Sequence, residues 1–186
     1  MKLAKFAKNT QNLNKNIALI GHMGSGKSII GKLISRKLSF IHLDSDKLIE
    51  EYMGHTINDI FINKGESYFR KIEEKIIIKN STKKNLVLSL GGGSILSEKI
   101  RNLLNQKFIC IFLDVKIHIL AKRLKNSKKR PIIYNTNIEA KLKKLDKIRR
   151  KYYLSADIVL INHNSTLEVI EEFKEKYKEF NEKNKS

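Results

Sequence analysis

Gly21-His22-Met23-Gly24-Ser25-Gly26-Lys27-Ser28 places a glycine, four residues and then Gly-Lys-Ser, a spacing that suits a polyphosphate. Gly21, Gly24 and Gly26 let the backbone bend until its N–H groups point inward at phosphate oxygens. A helix opening after Gly26 aims its N-terminus at the same anion. Lys27 has the length to reach the β- and γ-phosphates, and the Ser28 hydroxyl is a hard oxygen ligand for Mg²⁺. The alternative is a chance glycine-rich turn. The motif separates the two by its context, a strand before and a helix after, and Asn16–Ile20 and Lys27–Leu38 read as those elements.

Three further groups of residues bear on the acceptor. Asp44-Ser45-Asp46 sets two carboxylates at i and i+2. Beside a phosphate site one can hold Mg²⁺ or its water while the other takes a proton from a hydroxyl; alone, such a turn is an ordinary helix cap, a role open to Asp44 or Ser45. Gly65-Glu66-Ser67-Tyr68-Phe69-Arg70 opens a long helix on which Phe69, Ile72 and Ile76 form an apolar stripe and Arg70 faces another side. Arginine is scarce here, 7 residues against 31 lysines. A guanidinium binds a carboxylate bidentately where an ammonium does not, and Glu73, one turn on, is placed to orient Arg70. Gly91-Gly92-Gly93 carries an entropic cost that a simple turn does not require. Either a substrate approaches the backbone there or the turn is strained.

In this order and spacing the motifs resemble those of the shikimate kinases: a phosphate loop, Asp-x-Asp, Gly-Glu-x-x-Phe-Arg, Gly-Gly-Gly, an Arg-Pro lid at Arg130-Pro131, and a late Arg before Tyr and Ala-Asp at Arg149 to Asp157. The resemblance covers about residues 16–161. It implies an α/β phosphate-loop kinase with a five-stranded parallel sheet flanked by helices, like the nucleoside-monophosphate kinases. The implied reaction moves the γ-phosphoryl of MgATP to the 3-hydroxyl of shikimate. Gly24, Ser25, Gly26, Lys27, Ser28 and Ile29 would hold ATP, with Ser28 on Mg²⁺ and Asp44 on the metal through water. Asp46 would bind the shikimate hydroxyls and act as base. Arg70, Gly92 and Arg149 would bind shikimate, Arg130 would close over the phosphates, and Arg123 would lie against the adenine. Lys27, Asp46 and Arg130 form the implied catalytic set.

Some positions depart from the pattern. Ile29 stands where threonine is common. Spacing to Tyr153 favours Arg149 as the late arginine, with the adjacent Arg150 as the alternative. The adenine-side residue near 163–165 has no assignment. The nearest rivals are kinases of gluconate or of a nucleoside monophosphate, and the Asp-x-Asp, Phe-Arg and triple-glycine set argues against both. A non-catalytic nucleotide- or RNA-binding relative would lack Lys27 or Asp46, and both are present.

The elements that must position these residues alternate. Strands are predicted at Asn16–Ile20, Phe40–Leu43, Leu86–Leu90, Phe108–Leu113 and Ile158–Ile161. Helices are predicted at Lys27–Leu38, Lys47–Met53, Ile57–Asn63, Glu66–Asn80, Ser97–Asn105, Ile117–Lys125, Ile138–Leu154 and Thr166–Phe180. Continuous apolar strands alternating with helices imply a parallel sheet covered on both faces. The expected organisation is an extension at 1–15, one kinase domain over 16–180 with substrate helices at about 45–80 and a lid at about 125–137, and a tail at 181–186. Lys2, Lys5 and Lys8 alternate with apolar residues, so residues 1–16 read as a polar extension or an amphipathic targeting peptide.

The chain has 186 residues with 41% hydrophobic side chains, enough for one buried core. Its single cysteine, Cys110, sits in an apolar run and reads as an inert core residue, and no intrachain disulfide or cysteine-based metal site can form. The histidines at 22, 42, 55, 118 and 163 show no zinc spacing. No apolar run approaches the roughly 18–20 residues that span a bilayer. The net charge is +19, but Lys, Ile and Asn make up 75 residues, a composition that A/T-rich codons alone would produce. Without aromatic-flanked basic motifs this charge reads as attraction for anionic small substrates rather than a nucleic-acid surface. The Glu171–Lys178 charges read as a solvated helix face, with Glu172 and Lys176 paired. The expectation is a cytoplasmic monomer that binds shikimate and ATP, with no membrane or specific nucleic acid as partner.

Overall fold

Residue-by-residue alternation in the first strand already separates two cores. In β1 (Asn16–Ile20), Ile17 and Leu19 point to one face of a sheet and Ala18 and Ile20 to the other, and all four are buried. Such double-sided burial marks a parallel sheet. The computed structural model describes residues 15–125, 137–163 and 165–184. After β1 come α1 (Lys27–Leu38), β2 (Ile41–Asp44), α2 (Ser45–Met53), α3 (Ile57–Asn80) and β3 (Leu86–Ser89). A short 3-10 turn (Ser94–Leu96) then leads to α4 (Glu98–Lys107), β4 (Phe108–Asp114), α5 (Ile117–Lys125), α6 (Ile138–Tyr153), β5 (Ile158–Ile161) and α7 (Thr166–Lys183).

The five strands form one parallel sheet in the order β2-β3-β1-β4-β5. Ile17, Leu19, Val87, Ile109 and Ile111 pack against Ile30 and Ile34 of α1 and Phe173 and Tyr177 of α7. On the other face Ala18, Ile20, Leu86, Leu88 and Phe112 meet Ile77 of α3, Ile100 and Leu104 of α4 and Tyr153 of α6. Each such buried side chain contributes about 1.5–3 kcal/mol. Two smaller clusters extend from this body. Ile49, Ile60, Phe69 and Ile76 hold α2 to α3, and Leu120, Leu124, Ile138 and Leu142 hold α5 to α6. Because every strand runs the same way, the segments after β1, β2, β3, β4 and β5 all leave one edge, where ligands of open α/β sheets bind.

Element positions agree with the sequence reading to within a few residues. The two helices expected at 57–63 and 66–80 are one span, α3, broken at Gly65 by φ 78 and ψ 169. A Cβ at Gly65 would meet nothing within 4 Å, so the backbone conformation rather than space asks for glycine. The last helix does not end at Phe180. It runs to Lys183 because Tyr177 and Asn181 lie on its buried face. Nor are the Glu172 and Lys176 charges only solvated. They pair at 2.7 Å, and Glu172 accepts from the Ile161 N–H at 2.9 Å while Lys176 donates to the Val159 carbonyl at 2.7 Å. These contacts occupy polar backbone groups of the edge strand β5. Cys110 is buried in β4, which pushes its thiol up to about 12 and leaves it inert as expected. Among the described residues no helix is long and apolar enough to cross a membrane.

Gly31 of α1 packs directly on β2 and β3. A Cβ there would stand 2.6 Å from His42 Nε2 and 2.7 Å from Ser89 Oγ. Ser89 donates its hydroxyl proton to the Lys27 carbonyl at 3.1 Å, so His42 Nε2 donates to Ser89 at 3.0 Å. Helix propensity alone favours Gly31→Ala by about 1 kcal/mol, whereas forcing atoms into a filled core costs about 1–3 kcal/mol. Packing wins, so Gly31→Ala should lower the melting temperature. An unchanged or higher value would show that His42 swings aside.

Candidate functional site

The phosphate loop joins β1 to α1. Its helix is capped by Gly26 in the left-handed region, φ 91, with no side-chain cap and no acid in the first turn. The helix therefore presents its N-terminus to an anion without a side-chain cap or an opposing negative charge in its first turn. Lys27 folds across the loop, its ammonium donating to the Gly21 and His22 carbonyls at 2.8 Å each. Gly26 is required by its neighbour as well as by its φ. A Cβ would stand 2.7 Å from Nδ2 of Asn162. That buried amide donates to the Ser25 carbonyl at 2.7 Å, and the Asn162 N–H bonds back to the Asp114 carbonyl of β4 at 3.0 Å.

Asn162, directly after β5, is a positioning residue that the sequence reading did not single out. Its only sequence signal is an asparagine at the C-terminal end of a parallel strand. Arg123 of α5 reaches the same place and donates to the Asn162 carbonyl at 3.0 Å and the Gly24 carbonyl at 3.5 Å. Partial burial lowers its guanidinium below the ordinary value.

The carboxylate pair divides at the start of α2. Asp44 is the cap, accepting from the N–H of Asp46 at 3.1 Å and of Lys47 at 3.5 Å. Its other oxygen accepts from the Ser28 hydroxyl. Ser45 is not the cap. It is buried and accepts from the Gly91 N–H at 2.9 Å, tying the β2 exit to the β3 exit. Asp46 lies against that same turn.

Two of the three glycines have a steric explanation. A Cβ on Gly91 would stand 2.7 Å from both Asp46 Oδ1 and Glu73 Oε1, and one on Gly93 would overlap the Arg70 guanidinium. Arg70 is clamped from its own helix, donating to Glu73 at 2.6 Å and to Glu66 at 3.0 and 3.3 Å. Glu73 orients it as expected. Glu73 is almost fully buried, and burial raises its carboxyl above the ordinary value even though Arg70 and the Ser94 hydroxyl, 2.5 Å away, oppose that shift. Burial works against the Arg70 charge, yet the adjacent Glu73 carries the guanidinium above its usual value.

The two late arginines separate in space. Arg149 is buried, and NH1 lies 3.4 Å from where a Gly92 Cβ would sit. Its Nε is buried with no partner. The Tyr153 hydroxyl, one turn on, donates to the Gly92 carbonyl at 2.6 Å, and burial raises that phenol to about 12. Arg150 points elsewhere and holds Asp114 through two bonds of 3.0 and 3.3 Å. The loop Gly21–Ser28, Asp44, Asp46, Arg70, Gly92, Arg149 and Arg123 thus gather on one edge of the sheet. Ile29 is exposed on the outer side of the first turn of α1. Arg130 lies outside the described residues, as does most of the expected lid.

Ser28 and Asp44 together offer a hydroxyl and a carboxylate oxygen beside the phosphate loop. No group of three or more His, Cys, Asp or Glu suited to a metal occurs among the described residues. Such a donor set fits Mg²⁺, which takes one or two protein oxygens and completes its shell with phosphate and water.

Known proteins share both the sequence and the fold. The shikimate kinase family model matches residues 23–178. The chain is 42% identical over 156 residues to a shikimate kinase of Rippkaea orientalis, covering 83% of each chain. It is 41% identical over 165 residues to that of Sulfurihydrogenibium sp., covering 88% of this chain and 98% of the relative. The solved structure of shikimate kinase from Acinetobacter baumannii in complex with shikimate superposes with a TM-score of 0.85 at 32% identity, over 96% of this chain and 98% of that one.

The separation of the two arginines is testable. Arg149→Ala should raise the acceptor KM about tenfold or more, as loss of a charge-assisted contact does. Arg150→Ala should leave it within about twofold and cost about 1 kcal/mol or less of stability, since its pair with Asp114 is partly exposed. The reverse pattern in steady-state kinetics would exchange their roles.

Proposed function

The chain belongs to the shikimate kinase family, and we propose a division of labour among its residues for that reaction. The enzyme moves the γ-phosphoryl of ATP to the 3-hydroxyl of shikimate, giving ADP and shikimate 3-phosphate on the route to the aromatic amino acids. What carries the residue reading is the approach of Asp46 and Arg70 to the Gly91–Gly93 backbone, on the same sheet edge as a phosphate loop. That approach supports reading Asp46 as the base and Arg70 as a receptor for the carboxylate.

In this reading Gly24 to Ile29 hold the ATP phosphates through loop N–H groups and the Lys27 ammonium, and Arg123 lies against the adenine. Lys27 leaves the Gly21 and His22 carbonyls for the β- and γ-oxygens, since a phosphate outbids two neutral acceptors. Arg70 and Arg149 grip the shikimate carboxylate, and the backbone at Gly92 meets the ring closely. Asp46 accepts hydrogen bonds from the shikimate hydroxyls and takes the proton of the one that attacks. Mg²⁺ would be held by Ser28, with Asp44 reaching it through water. When bound, it neutralises the charge on the β- and γ-phosphates. Arg130 supplies a further positive charge over the transferred group, and closure around it keeps water from the donor. No covalent intermediate is needed; positioning and charge neutralisation do the work.

We take the enzyme to be a monomer in the cytoplasm, with small molecules rather than a membrane or specific nucleic acid as its partners. The excess positive charge, which attracts anionic substrates, supports the small-molecule part of this reading.

The reading is tested by shikimate-dependent ADP release with MgATP, with gluconate and a nucleoside monophosphate as parallel acceptors. Release with shikimate alone is expected. Arg130→Ala should lower kcat by about 100-fold while changing shikimate affinity little; near-normal turnover would remove Arg130 from the reaction. Arg70→Lys should weaken shikimate binding about tenfold because the fork becomes a point charge. Unchanged affinity would take Arg70 out of the site.

A further inference from the structure

His22 occupies a position that the phosphate-loop spacing leaves open, and its surroundings are specific. Its carbonyl accepts from Lys27 at 2.8 Å and from the Ser25 N–H at 3.2 Å. Its ring is 4% exposed, sits edge-on to Tyr153 with centroids 5.0 Å apart, and places Nε2 2.8 Å from Asp146 Oδ1. A carboxylate only accepts, so Nε2 carries the proton and Nδ1 is an acceptor. Nδ1 is buried and has no partner.

Asp146 and Tyr153 both lie on α6, on either side of Arg149. One imidazole therefore touches the arginine's helix at two points while its own backbone holds the phosphate-loop lysine. Tyr153 continues the connection to the Gly92 carbonyl. Packing alone does not account for the residue. A phenylalanine would fill the space without burying an unpaired nitrogen, which costs about 1–3 kcal/mol.

We infer that His22 is a positioning residue that locks the phosphate loop to α6 through Asp146, and so sets the spacing between Lys27 and Arg149 across which ATP and shikimate are bound together. This rests on the reading of Arg149 as a shikimate ligand. The locked position favours the neutral ring, because it buries Nδ1 without a partner. A second proton would sit on the buried, unpartnered Nδ1, facing Arg149 of α6 and Lys27 of α1. Asp146, itself 3.8 Å from Arg150, is the one negative group among the described residues that faces it. Tyr153 is neutral, its phenol raised to about 12. Burial, with the two cations, lowers the imidazole below its ordinary 6.5. The unfolded chain therefore takes up this proton at a higher pH than the folded one. The folded, locked state is fully favoured above 6.5 and loses ground as pH falls below it.

The test is steady-state kinetics with MgATP and shikimate on the full chain, across about pH 5 to 8. His22→Phe keeps the ring contact and removes the bond to Asp146. It should raise the shikimate KM about tenfold at every pH, with a much smaller change in the ATP KM. His22→Gln offers Asp146 a non-titrating N–H donor. It should restore most of that affinity and abolish the acid-side rise in KM that the wild type shows. Should His22→Phe fail to fold, the His22→Gln pH profile decides alone. A wild-type KM in His22→Phe, or a wild-type acid limb in His22→Gln, overturns the lock, and so does a His22→Gln protein no better than His22→Phe. Arg149→Ala in the same assay keeps the two readings apart. An unchanged KM there overturns the site reading, whereas a raised KM there with wild-type His22 variants overturns the lock alone.

Discussion

How close Asp46 and Arg70 come to the rest of the site is set by two missing β-carbons, at Gly91 and Gly93. Any side chain on Gly91 would collide with Asp46 and Glu73, and any on Gly93 with Arg70. Contacts around this turn join three separate parts of the chain. Ser45, at the end of β2, accepts from the Gly91 N–H, Ser94 donates to Glu73 of α3, and Tyr153 of α6 donates to the Gly92 carbonyl. The flexibility of three glycines in the unfolded chain works against folding by about 0.5–1 kcal/mol each. The hydrogen bonds and the partly buried Glu73–Arg70 pair offset it, and the result is a turn that holds Asp46 and Arg70 in a fixed arrangement.

The two arginines proposed to share the shikimate carboxylate are prepared differently. Arg70 is held from two sides by Glu66 and Glu73, so its orientation is fixed and its charge partly compensated. Arg149 is more deeply buried and keeps a nitrogen unpartnered, so an arriving anion gains more there. On the donor side, Lys27 rests on neutral carbonyls and the first turn of α1 contains no acid. Positive potential is therefore concentrated at the phosphate loop, while the carboxylates of Asp44 and Asp46 stand beside it at the start of α2. For a phosphoryl transfer with little covalent chemistry for the protein to perform, this distribution of fixed charge accounts for most of what the fold contributes.

Much of the frame was legible in the chain because its signals are local. β1, α1, α5 and β5 begin and end where apolar period and turn residues place them, since each buries a regular stripe or a continuous run. The break in α3 was legible as the gap between helices expected at 57–63 and 66–80, while the positive φ of Gly65 came only from the structure. The phosphate loop, Asp44, Asp46, Arg70 and the triple glycine were legible as motifs, because the residues of each lie close together in the sequence. The end of α7 was misplaced because its charged residues hide a buried face at Tyr177 and Asn181. Glu172 and Lys176 looked solvated because the backbone they bond belongs to another element.

Sequence alone determined the sheet-and-helix alternation, the phosphate loop and the identities of the charged groups, since sterics, periodicity and side-chain chemistry act over a few residues. Only the tertiary structure decided which groups meet. Asn162 supports the phosphate loop from 137 positions away, and His22 reaches Asp146 across 124. Arg149 and Arg150 are adjacent in the chain, yet one faces Gly92 and the other Asp114. Successive residues on a helix point about 100° apart, so which of them enters the site depends on how the helix packs.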